Sequence, residues 1–408
     1  MVKVSQYVKN LVGEAREASY ELAKVETATK NKILRDMARE LLKEKDFILK
    51  ENSKDLAAAE KKNLKGSFID RLRLDNKRIK EMSLSLKAVA ALPDPVGKIV
   101  TSLKRPNGIR IKKVRAPIGV ILIIYEARPN VTSDCTGLLF KTSNVGILRG
   151  GGAALHSNTA IGTVLKKVIK KSGLKFNPFF IVGKTDHRTV DELLKQDNYI
   201  DMVIPRGGEV LIRKVVELSR IPVIKHYKGI CNIYIDRNFD IKKALDICVN
   251  AKVQRPSVCN AVENILIHKD SLKTFLPLLK KEFNKLGVEI RGDEAAVKTV
   301  EGIRKAKERD WQTEYLDLIV AVKTVKNAAE AVKFINKYGS HHTDAIITND
   351  SCEAKRFVKE IDSACCFINI STRFSDGYQF GLGAEIGIST DKLHARGPMG
   401  LEELTTYK

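Results

Sequence analysis

The sequence predicts an α/β protein with two lobes that are built on mostly parallel sheets. The chain has 408 residues, more than one hydrophobic core usually serves. Continuous apolar runs rich in β-branched residues, such as Gly119–Tyr125, are typical of strands that are buried on both faces of a parallel sheet. Long stretches with helical periodicity lie between them. With 43% hydrophobic residues and 11 prolines, the chain is predicted to be globular.

The strong positive charge of the chain indicates either an anionic partner or simply a basic, solvated surface. The 72 Lys and Arg residues against 49 Asp and Glu give a formal net charge of +23. Such an excess is common in nucleic-acid-binding proteins. Here, however, the basic residues are scattered among acidic ones, and no aromatic RNA-binding motif accompanies them. We therefore expect a basic surface that serves anionic small molecules, with no nucleic-acid partner.

The apolar runs are too short to indicate a membrane protein. A membrane-spanning helix needs roughly 18 apolar residues, and even the run from Val114 to Ile124 contains Arg115 and Pro117. The N-terminal sequence MVKVSQYVKN lacks the apolar centre of a signal peptide. We expect a cytoplasmic protein without membrane association.

The seven cysteines form no CxxC pair and no Cys/His spacing typical of a metal site. We therefore expect neither a disulfide scaffold nor a bound metal. Cys259 stands apart in the segment VQRPSVCNA, since Pro256 interrupts regular structure and Arg255 brings a positive charge. A cysteine in such a loop is either a small buried hydrophobe or a nucleophile whose thiolate form is favoured by that charge.

The first 92 residues are predicted to be helical. Apolar residues recur at helical spacing, Asp75 is a candidate N-cap, and Pro93 ends the last helix. The period then changes, because apolar and basic residues alternate after the turn dipeptide Asn107-Gly108. This pattern predicts a hairpin, which either projects from the body or forms the edge of the main sheet.

Four buried strands follow, with helices between them. A polar loop, Glu126–Asn130, comes directly after the first strand, and open α/β sheets place their ligands at such carboxyl ends. Two further strands end in glycines at 150–152 and 207–208, where freed backbone amides and helix N-termini favour phosphate. The predicted strands are 119–125, 144–149, 179–182 and 201–204, and the last is followed by a helix at 209–218.

The second lobe is predicted to begin between Ile221 and Asp236. A strand is expected at 263–268, and helices at 272–286 and 332–338. The adjacent His341 and His342 lie in a turn and are a weak metal signal, because no further ligands accompany them in the sequence.

Four stretches resemble the γ-glutamyl phosphate reductases, which are relatives of the aldehyde dehydrogenases and act second in proline biosynthesis. They are VQRPSVCNAVE, IIYEARPNVT, VIPRGG and the block STRFSDGYQFGLGAEIGIST with HARGPMGLEELTTY. The resemblance implies an aldehyde dehydrogenase-like fold: a dinucleotide-binding domain at 1–230 with a projecting hairpin near 105–117, a catalytic domain at 231–385 and an oligomerisation tail at 386–408.

The resemblance also implies roles for particular residues. Cys259 would be the nucleophile, Asn130 a donor to the oxyanion, and Arg128, Arg255 and Arg373 would bind the substrate's phosphate and carboxylate. A guanidinium at position 149 suits a 2′-phosphate and so favours NADPH over NADH. The residues implied to bind the cofactor are Lys141, Arg149, Gly150, Gly151, Pro205, Arg206, Gly207, Gly208 and Glu314.

The chain departs from the family's pattern at three positions. The family usually reads Lys-Ser-Gly-Asn where this chain has Lys-Thr-Ser-Asn, so that Ser143 replaces a glycine. It commonly has Cys-His where this chain has Cys231-Asn232, and an asparagine cannot titrate. Ile370 replaces a smaller alanine.

The implied activity is the NADPH-dependent reduction of L-glutamyl 5-phosphate to L-glutamate 5-semialdehyde and phosphate. The resemblance further implies a homodimer or homotetramer, and transient contact with a glutamate 5-kinase that supplies the unstable acyl phosphate. Two alternatives remain open: another thiol-dependent oxidoreductase of aldehydes or acyl phosphates, and a basic binding protein whose enzyme fold has lost activity.

Overall fold

The structure is a computed structural model that describes residues 2–64 and 66–408. The chain packs into two compact units. The first comprises residues 1–225, 381–387 and 398–408, and the second comprises residues 226–380 and 388–397. The division between the units falls after residue 225, and the C-terminal segment is shared between them. Among the described residues, no helix has the length and hydropathy that a bilayer crossing requires.

The first unit begins with five helices, as the periodicity of the N-terminal region predicts. The side chain of Asp75 accepts a 2.7 Å hydrogen bond from the backbone N–H of Arg78, so the predicted N-cap is present. The apolar stripe at Ile33, Leu34 and Met37 is buried. The helices are α1 (Val2–Leu22), α2 (Thr27–Lys43), α3 (Lys45–Lys61), α4 (Gly66–Leu72) and α5 (Asn76–Ala91).

The predicted hairpin follows, but it is longer than the sequence indicated. Strands β1 (Ile99–Lys104) and β2 (Arg110–Pro117) pair in antiparallel fashion around the turn that contains Gly108. Every residue of β1 is exposed. Leu103 lies directly opposite Ile111, and these two apolar side chains are 57% and 51% exposed.

A four-stranded parallel sheet forms the centre of the first unit. Its strands are β3 (Val120–Tyr125), β4 (Val145–Gly150), β5 (Phe179–Ile181) and β6 (Met202–Arg206), in the order β5-β4-β3-β6. All residues of β3 and β4 are buried, as their continuous apolar sequences predict. The connecting helices are α6 (Asn130–Lys141), α7 (Leu155–Lys171), α8 (His187–Leu193) and α9 (Glu209–Leu218), with a short 3₁₀ helix at Gly152–Ala154 before α7.

The second unit contains a seven-stranded sheet in the order β10-β9-β11-β8-β7-β12-β13, in which neighbouring strands are parallel. Its strands are β7 (Cys231–Ile235), β8 (Val262–His268), β9 (Glu289–Gly292), β10 (Arg304–Lys305), β11 (Ile319–Val325), β12 (Thr343–Ile347) and β13 (Cys365–Ile368). Its helices are α10 (Ile241–Val253), α11 (Leu272–Lys285), α12 (Glu294–Thr299), α13 (Ala328–Tyr338) and α14 (Ser351–Glu360).

Helices cover both faces of this sheet, so its central strands are apolar on both sides. Ile233 and Ile265 pack with residues of α10 and α11, whereas Tyr234 and Leu266 pack with residues of α13. Successive side chains of a strand point to opposite faces, which explains the two separate clusters. The sheet therefore holds the loops at its strand ends on a rigid base.

The C-terminal segment ends in three short strands. Two of them, β14 (Ile388–Ser389) and β15 (Gly397–Pro398), are two residues long, and the last is β16 (Thr405–Tyr407). Strand β16 pairs in antiparallel fashion with β2 of the same chain, and Arg115 of β2 donates to the Thr405 hydroxyl at 2.8 Å. The end of the predicted oligomerisation tail thus extends the hairpin within the first unit.

Ser143, at a position where the resembled family has glycine, adopts a backbone conformation that favours glycine. Its φ is +58°, and it is buried between α6 and β4. Its hydroxyl accepts a 2.8 Å hydrogen bond from the ammonium group of Lys30, which is itself buried and pairs with Asp94 at 2.6 Å. The hydrogen bond offsets part of the cost of the strained backbone.

This arrangement predicts that position 143 tolerates glycine better than alanine. Both Ser143→Gly and Ser143→Ala lose the hydroxyl, but only alanine keeps a Cβ at positive φ, which costs about 1 kcal/mol. We expect a lower urea midpoint for the alanine variant than for the glycine variant, measured by far-ultraviolet circular dichroism. Equal midpoints would show that the backbone at this position is unstrained.

Candidate active site

Cys259 lies in the loop that connects α10 to β8. The segment 254–261 forms successive turns and contains no regular helix or strand, as the proline at 256 predicts. The Cys259 side chain is partly buried, whereas Cys135, Cys231, Cys248 and Cys365 are buried. Cys259 is therefore not a fully buried hydrophobe, and its role as a nucleophile stays a prediction.

The backbone of Cys259 is held against the residues that lead into β7. A Cβ atom at Gly229 would lie 1.9 Å from the carbonyl oxygen of Cys259, so only glycine fits at this position. The thiol of Cys231 donates a 3.2 Å hydrogen bond to the same carbonyl oxygen. The backbone N–H of Gly229 donates at 2.8 Å to the carboxylate of Glu314. These contacts fix the start of the strand and the cysteine loop together.

Two histidines lie beside the Cys259 sulfur. A ring nitrogen of His226, a ring nitrogen of His342 and the Cys259 sulfur all lie within 4.8 Å of one another. The His342 ring is fully buried, and its Nδ1 lies 2.9 Å from the Thr343 hydroxyl. The two rings meet edge to face, with centroids 5.5 Å apart. An imidazole this close can take the proton of the thiol.

Neither histidine was predicted to take part in the chemistry of Cys259. The sequence gives no signal for His226 and only a weak metal signal for His342. No local spacing could have found them, since residues 226, 259 and 342 come from separate loops and strands of the second unit. Only the packing of β7, β8 and β12 side by side brings them together.

Two arginines place positive charge near the thiol. The Arg373 side chain donates from Nε to Gln254 at 3.1 Å and from Nη1 to Asn260, residues that flank Cys259 in its loop. Burial lowers the pKa of Arg373, and the neighbouring charge of Arg255 adds to this effect. Arg255 itself is exposed. Adjacent guanidinium groups favour an anion with several oxygens, such as a phosphate or a carboxylate.

Asn232, at the position where the resembled family has histidine, lies in a buried hydrogen-bond network. Its side-chain amide donates at 2.6 Å to Asp344, and its oxygen accepts from the Asn264 amide at 2.9 Å. Burial raises the pKa of Asp344 despite these donors. Asn232 therefore supports the strands beneath the cysteine loop and does not titrate.

A buried ion pair flanks the loop. Lys252, at the end of α10, and Glu263, at the start of β8, lie 2.7 Å apart, and both side chains are completely buried. Burial raises the pKa of Glu263 to about 7 and lowers that of Lys252. Removing one partner of such a pair leaves an uncompensated charge, so the pair ties the two ends of the loop segment together.

In the first unit, most of the residues predicted to bind the cofactor lie at one edge of the sheet. In the register of the sheet, Tyr125 at the end of β3 lies opposite Gly150 and Arg206, the last residues of β4 and β6. Pro205 and Arg206 belong to β6 itself, and Gly207 and Gly208 form the short connection to α9. Gly151 directly follows β4. The parallel arrangement thus gathers these segments at the carboxyl ends of the strands.

Arg149, next to the end of β4, carries a buried charge. Its side chain donates from Nη2 to the backbone oxygen of Thr185 at 2.8 Å, and the residue is 7% exposed. Its Nε has no hydrogen-bond partner, and no carboxylate of the described residues pairs with it. Burial lowers the pKa of this guanidinium. An unpaired buried cation at a sheet edge is suited to an anionic ligand.

The polar segment after β3 is less of a loop than predicted. Arg128 is half-buried, and Asn130 is the first residue of α6, where its amide donates to Asp134 at 3.0 Å. A primary amide has two N–H donors, and this contact uses one of them. Glu126 accepts a 3.1 Å hydrogen bond from the backbone N–H of Gly208.

Lys141 does not join the other predicted cofactor residues. It is the last residue of α6, which runs from the carboxyl end of β3 back toward the start of β4. Its ammonium group is completely buried and donates to the Asn31 side chain and to the Ala90 carbonyl oxygen. This placement does not support the predicted role in cofactor binding.

Comparisons with known proteins agree with this geometry. Residues 3–302 match the aldehyde dehydrogenase family. A γ-glutamyl phosphate reductase from Caldanaerobacter subterraneus subsp. tengcongensis is 52% identical over 395 residues, which cover 97% of this chain and 95% of that protein. The crystal structure of γ-glutamyl phosphate reductase from Thermotoga maritima has a TM-score of 0.95 at 45% identity, covering 98% of this chain and 97% of that one.

A more distant structure shares the fold. An engineered glycolyl-CoA reductase, solved with bound NADP⁺, has a TM-score of 0.71 at 13% identity and covers 98% of this chain and 95% of its own. Together with the matches above, this shows an aldehyde dehydrogenase-like fold, as the sequence predicted. The chain belongs to the aldehyde dehydrogenase family and, within it, to the γ-glutamyl phosphate reductases.

Proposed function

We propose that the protein reduces L-glutamyl 5-phosphate to L-glutamate 5-semialdehyde and phosphate, the second step of proline biosynthesis from glutamate, and that it works in the cytoplasm. The observation that carries this proposal is the partly exposed Cys259 with two imidazoles beside it and the charge of Arg373 nearby, in a chain that is 52% identical to a protein of that name. An acyl phosphate needs a nucleophile for its carbonyl and cations for its phosphate, and this loop supplies both.

Cys259 would act as the nucleophile. His226 or His342 takes the thiol proton, and the thiolate attacks the acyl carbonyl of the substrate. Phosphate leaves with the electron pair of the broken C–O bond, and a thioester forms. A thioester stays electrophilic, so it accepts a hydride readily. The resulting hemithioacetal collapses to the aldehyde and returns the thiolate.

The substrate's negative groups would be held by arginines. Arg255 is exposed in the loop that contains Cys259 and suits the departing phosphate, while Arg373, fixed by Gln254 and Asn260, suits the α-carboxylate. Arg128 is retained as a third candidate. Asn130 is retained as a donor to the oxyanion, through the N–H that does not bond Asp134.

We propose NADPH as the cofactor. When bound, a reduced nicotinamide supplies the hydride that converts the thioester to the aldehyde level. The first unit fits such a group, because the buried Arg149 lacks a counter-charge that a 2′-phosphate provides. Glycines 150, 151, 207 and 208, with Pro205 and Arg206, lie at the same sheet edge and suit the pyrophosphate. Glu314, with two carboxylate oxygens, suits ribose hydroxyls.

We also propose that the protein is a homodimer or homotetramer, and that it receives its unstable substrate in transient contact with a glutamate 5-kinase. The support for assembly is the hairpin. The three-stranded ribbon of β1, β2 and β16 exposes Leu103 and Ile111, and this leaves an apolar surface that a second copy would cover.

The first test removes the sulfur. In Cys259→Ala, turnover of glutamate semialdehyde, phosphate and NADP⁺ is expected to fall by about 10⁴-fold or more, since the covalent route is lost. NADPH affinity, measured by fluorescence titration, is expected to stay nearly unchanged. Cys352→Ala, which alters an exposed cysteine, is the matched control. Retained turnover in Cys259→Ala contradicts the proposal, and faster turnover of simple aliphatic aldehydes by the unaltered protein favours a different oxidoreductase.

The second test concerns cofactor choice. In Arg149→Met, the dissociation constant for NADPH is expected to rise about 10- to 100-fold, because a charge-assisted contact worth about 1.5–3 kcal/mol is lost. The constant for NADH is expected to change little. Arg149→Lys keeps the charge and serves as the control. A parallel loss for NADPH and NADH would argue against contact with a 2′-phosphate.

The third test concerns assembly. Light scattering after size-exclusion chromatography is expected to show a lower mass for Leu103→Asp/Ile111→Asp than for the unaltered protein, because two charges replace the exposed apolar pair. Tyr20→Asp, which alters a similarly exposed residue on α1 (56% exposed), is expected to keep the original mass. An unchanged mass in the double variant would rule out the hairpin as the assembly surface.

A further inference from the structure

The residues around Cys259 have a second chemical capacity, which is to bind a metal ion. The Cys259 sulfur and one ring nitrogen each of His226 and His342 lie within 4.8 Å of one another. A thiolate and two imidazoles are ligands that Zn²⁺ and similar divalent ions prefer, whereas Mg²⁺ and Ca²⁺ prefer oxygen. We propose that His226, Cys259 and His342 form a reversible site for a divalent transition-metal ion of the Zn²⁺ class, and that its occupancy blocks the thiol.

The distances are compatible with a zinc site after a small closure. With bonds of about 2.3 Å to sulfur and about 2.0 Å to nitrogen, a tetrahedral zinc ion holds its ligand atoms roughly 3.3–3.6 Å apart. Because the ligand atoms lie within 4.8 Å of one another, they need to approach by about 1.5 Å at most. His226 lies in a loop and is half-buried, whereas His342 is fully buried. His226 closes the site onto the other two ligands.

The surroundings orient one ligand and leave one coordination position open. The Thr343 hydroxyl lies 2.9 Å from Nδ1 of His342, the kind of second contact that fixes metal-bound imidazoles. Three protein ligands leave a fourth position for water, which is the arrangement of sites that exchange their ligands. Cys231 is not counted as a fourth protein ligand, because its thiol donates to the carbonyl oxygen of Cys259.

Some of the charged groups near the site oppose the binding of a cation, and others favour it. Arg255 and Arg373 lie near the thiol and oppose a cation. On the other side, the carboxylate of Asp344 lies under His342 and beside Cys231, and Glu263 pairs with Lys252 and is therefore neutralised locally. Binding replaces the thiol proton, so that one Zn²⁺ and one Cys–SH give one Zn–S bond and one released proton. The net gain in positive charge at the site is a single unit.

Metal binding is tested on the full chain, after treatment with a chelator and a phosphine reductant. One equivalent of Co²⁺ per chain is expected to produce thiolate-to-cobalt absorption in the near ultraviolet and d–d bands typical of tetrahedral coordination. Zn²⁺ is expected to abolish both signals by displacement. A cobalt spectrum without the thiolate band, or a stoichiometry that rises with added metal, would overturn the proposal.

Variants separate this site from chance binding at the surface. His226→Asn and Cys259→Ser are expected to weaken Zn²⁺ binding by about 100-fold or more, since even residues outside the ligand set change metal affinity by 10- to 100-fold. His187→Asn and Cys352→Ser, which alter an exposed histidine and an exposed cysteine, are expected to bind Zn²⁺ as the unaltered protein does. Variants of the buried His342 risk misfolding, so His226→Asn is the decisive variant. Its thermal unfolding temperature, compared with that of the unaltered protein, shows whether it is correctly folded.

The blocking effect rests on the proposed function, but the binding does not. Zn²⁺ is expected to inhibit semialdehyde oxidation at the same concentration at which it displaces Co²⁺, and excess chelator is expected to restore the rate. Activity that persists with one equivalent of bound Zn²⁺ refutes the blocking effect. Suppose instead that the protein binds Co²⁺ through Cys259 but that its metal-free form turns over no substrate. This result would refute the proposed function and leave the proposal of a metal site intact.

Discussion

The close approach of Gly229 to the Cys259 carbonyl is the constraint on which the second unit's site depends. No side chain fits between the start of β7 and the cysteine loop, because a single Cβ would already overlap the carbonyl oxygen. The loop is thereby tied to the sheet, and the sheet in turn places His342, at the edge of β12, against the same sulfur. A loop that lacked this contact would leave the thiol without fixed neighbours, and a nucleophile works best when its base and its anion-binding groups are held in place.

In the first unit the corresponding constraint is the parallel arrangement of the strands. Each strand of the sheet ends at the same edge, so short segments that are far apart in sequence meet without any long loop. This arrangement has an unfavourable term in the folding free energy, because the charge of Arg149 is buried near the end of β4. This edge of the sheet thus presents the backbone of several glycines together with two arginines, Arg149 and Arg206.

Local patterns predicted much of this architecture. Helix α9 (Glu209–Leu218) has the bounds that its periodicity indicated, and the apolar run that became β3 differs by one residue. Asn130 was expected in a loop but begins α6, because the helix starts directly after Pro129, a residue that suits the first turn of a helix. Such errors of a few residues arise where two local preferences compete.

The site was harder to predict, for a physical reason. Cys259 was recognisable because its proline, arginine and small polar neighbours are adjacent in sequence. His226 was not, because its proximity to the sulfur depends on the order of strands in the sheet, which no local pattern encodes. The resemblance placed Lys141 near the cofactor, but the direction of α6 carries it to the far end of the sheet.

The buried charge of Arg149 has a consequence for the protein's persistence in the cell. An uncompensated guanidinium is a cost that the folded chain carries whenever no anion lies beside it. A ligand that binds only the folded state and removes this cost shifts the unfolding equilibrium in proportion to the logarithm of its concentration. A dinucleotide bound at this edge would therefore stabilise the folded protein against unfolding and degradation, in addition to acting as a reactant. When its supply falls, the amount of this protein would fall too.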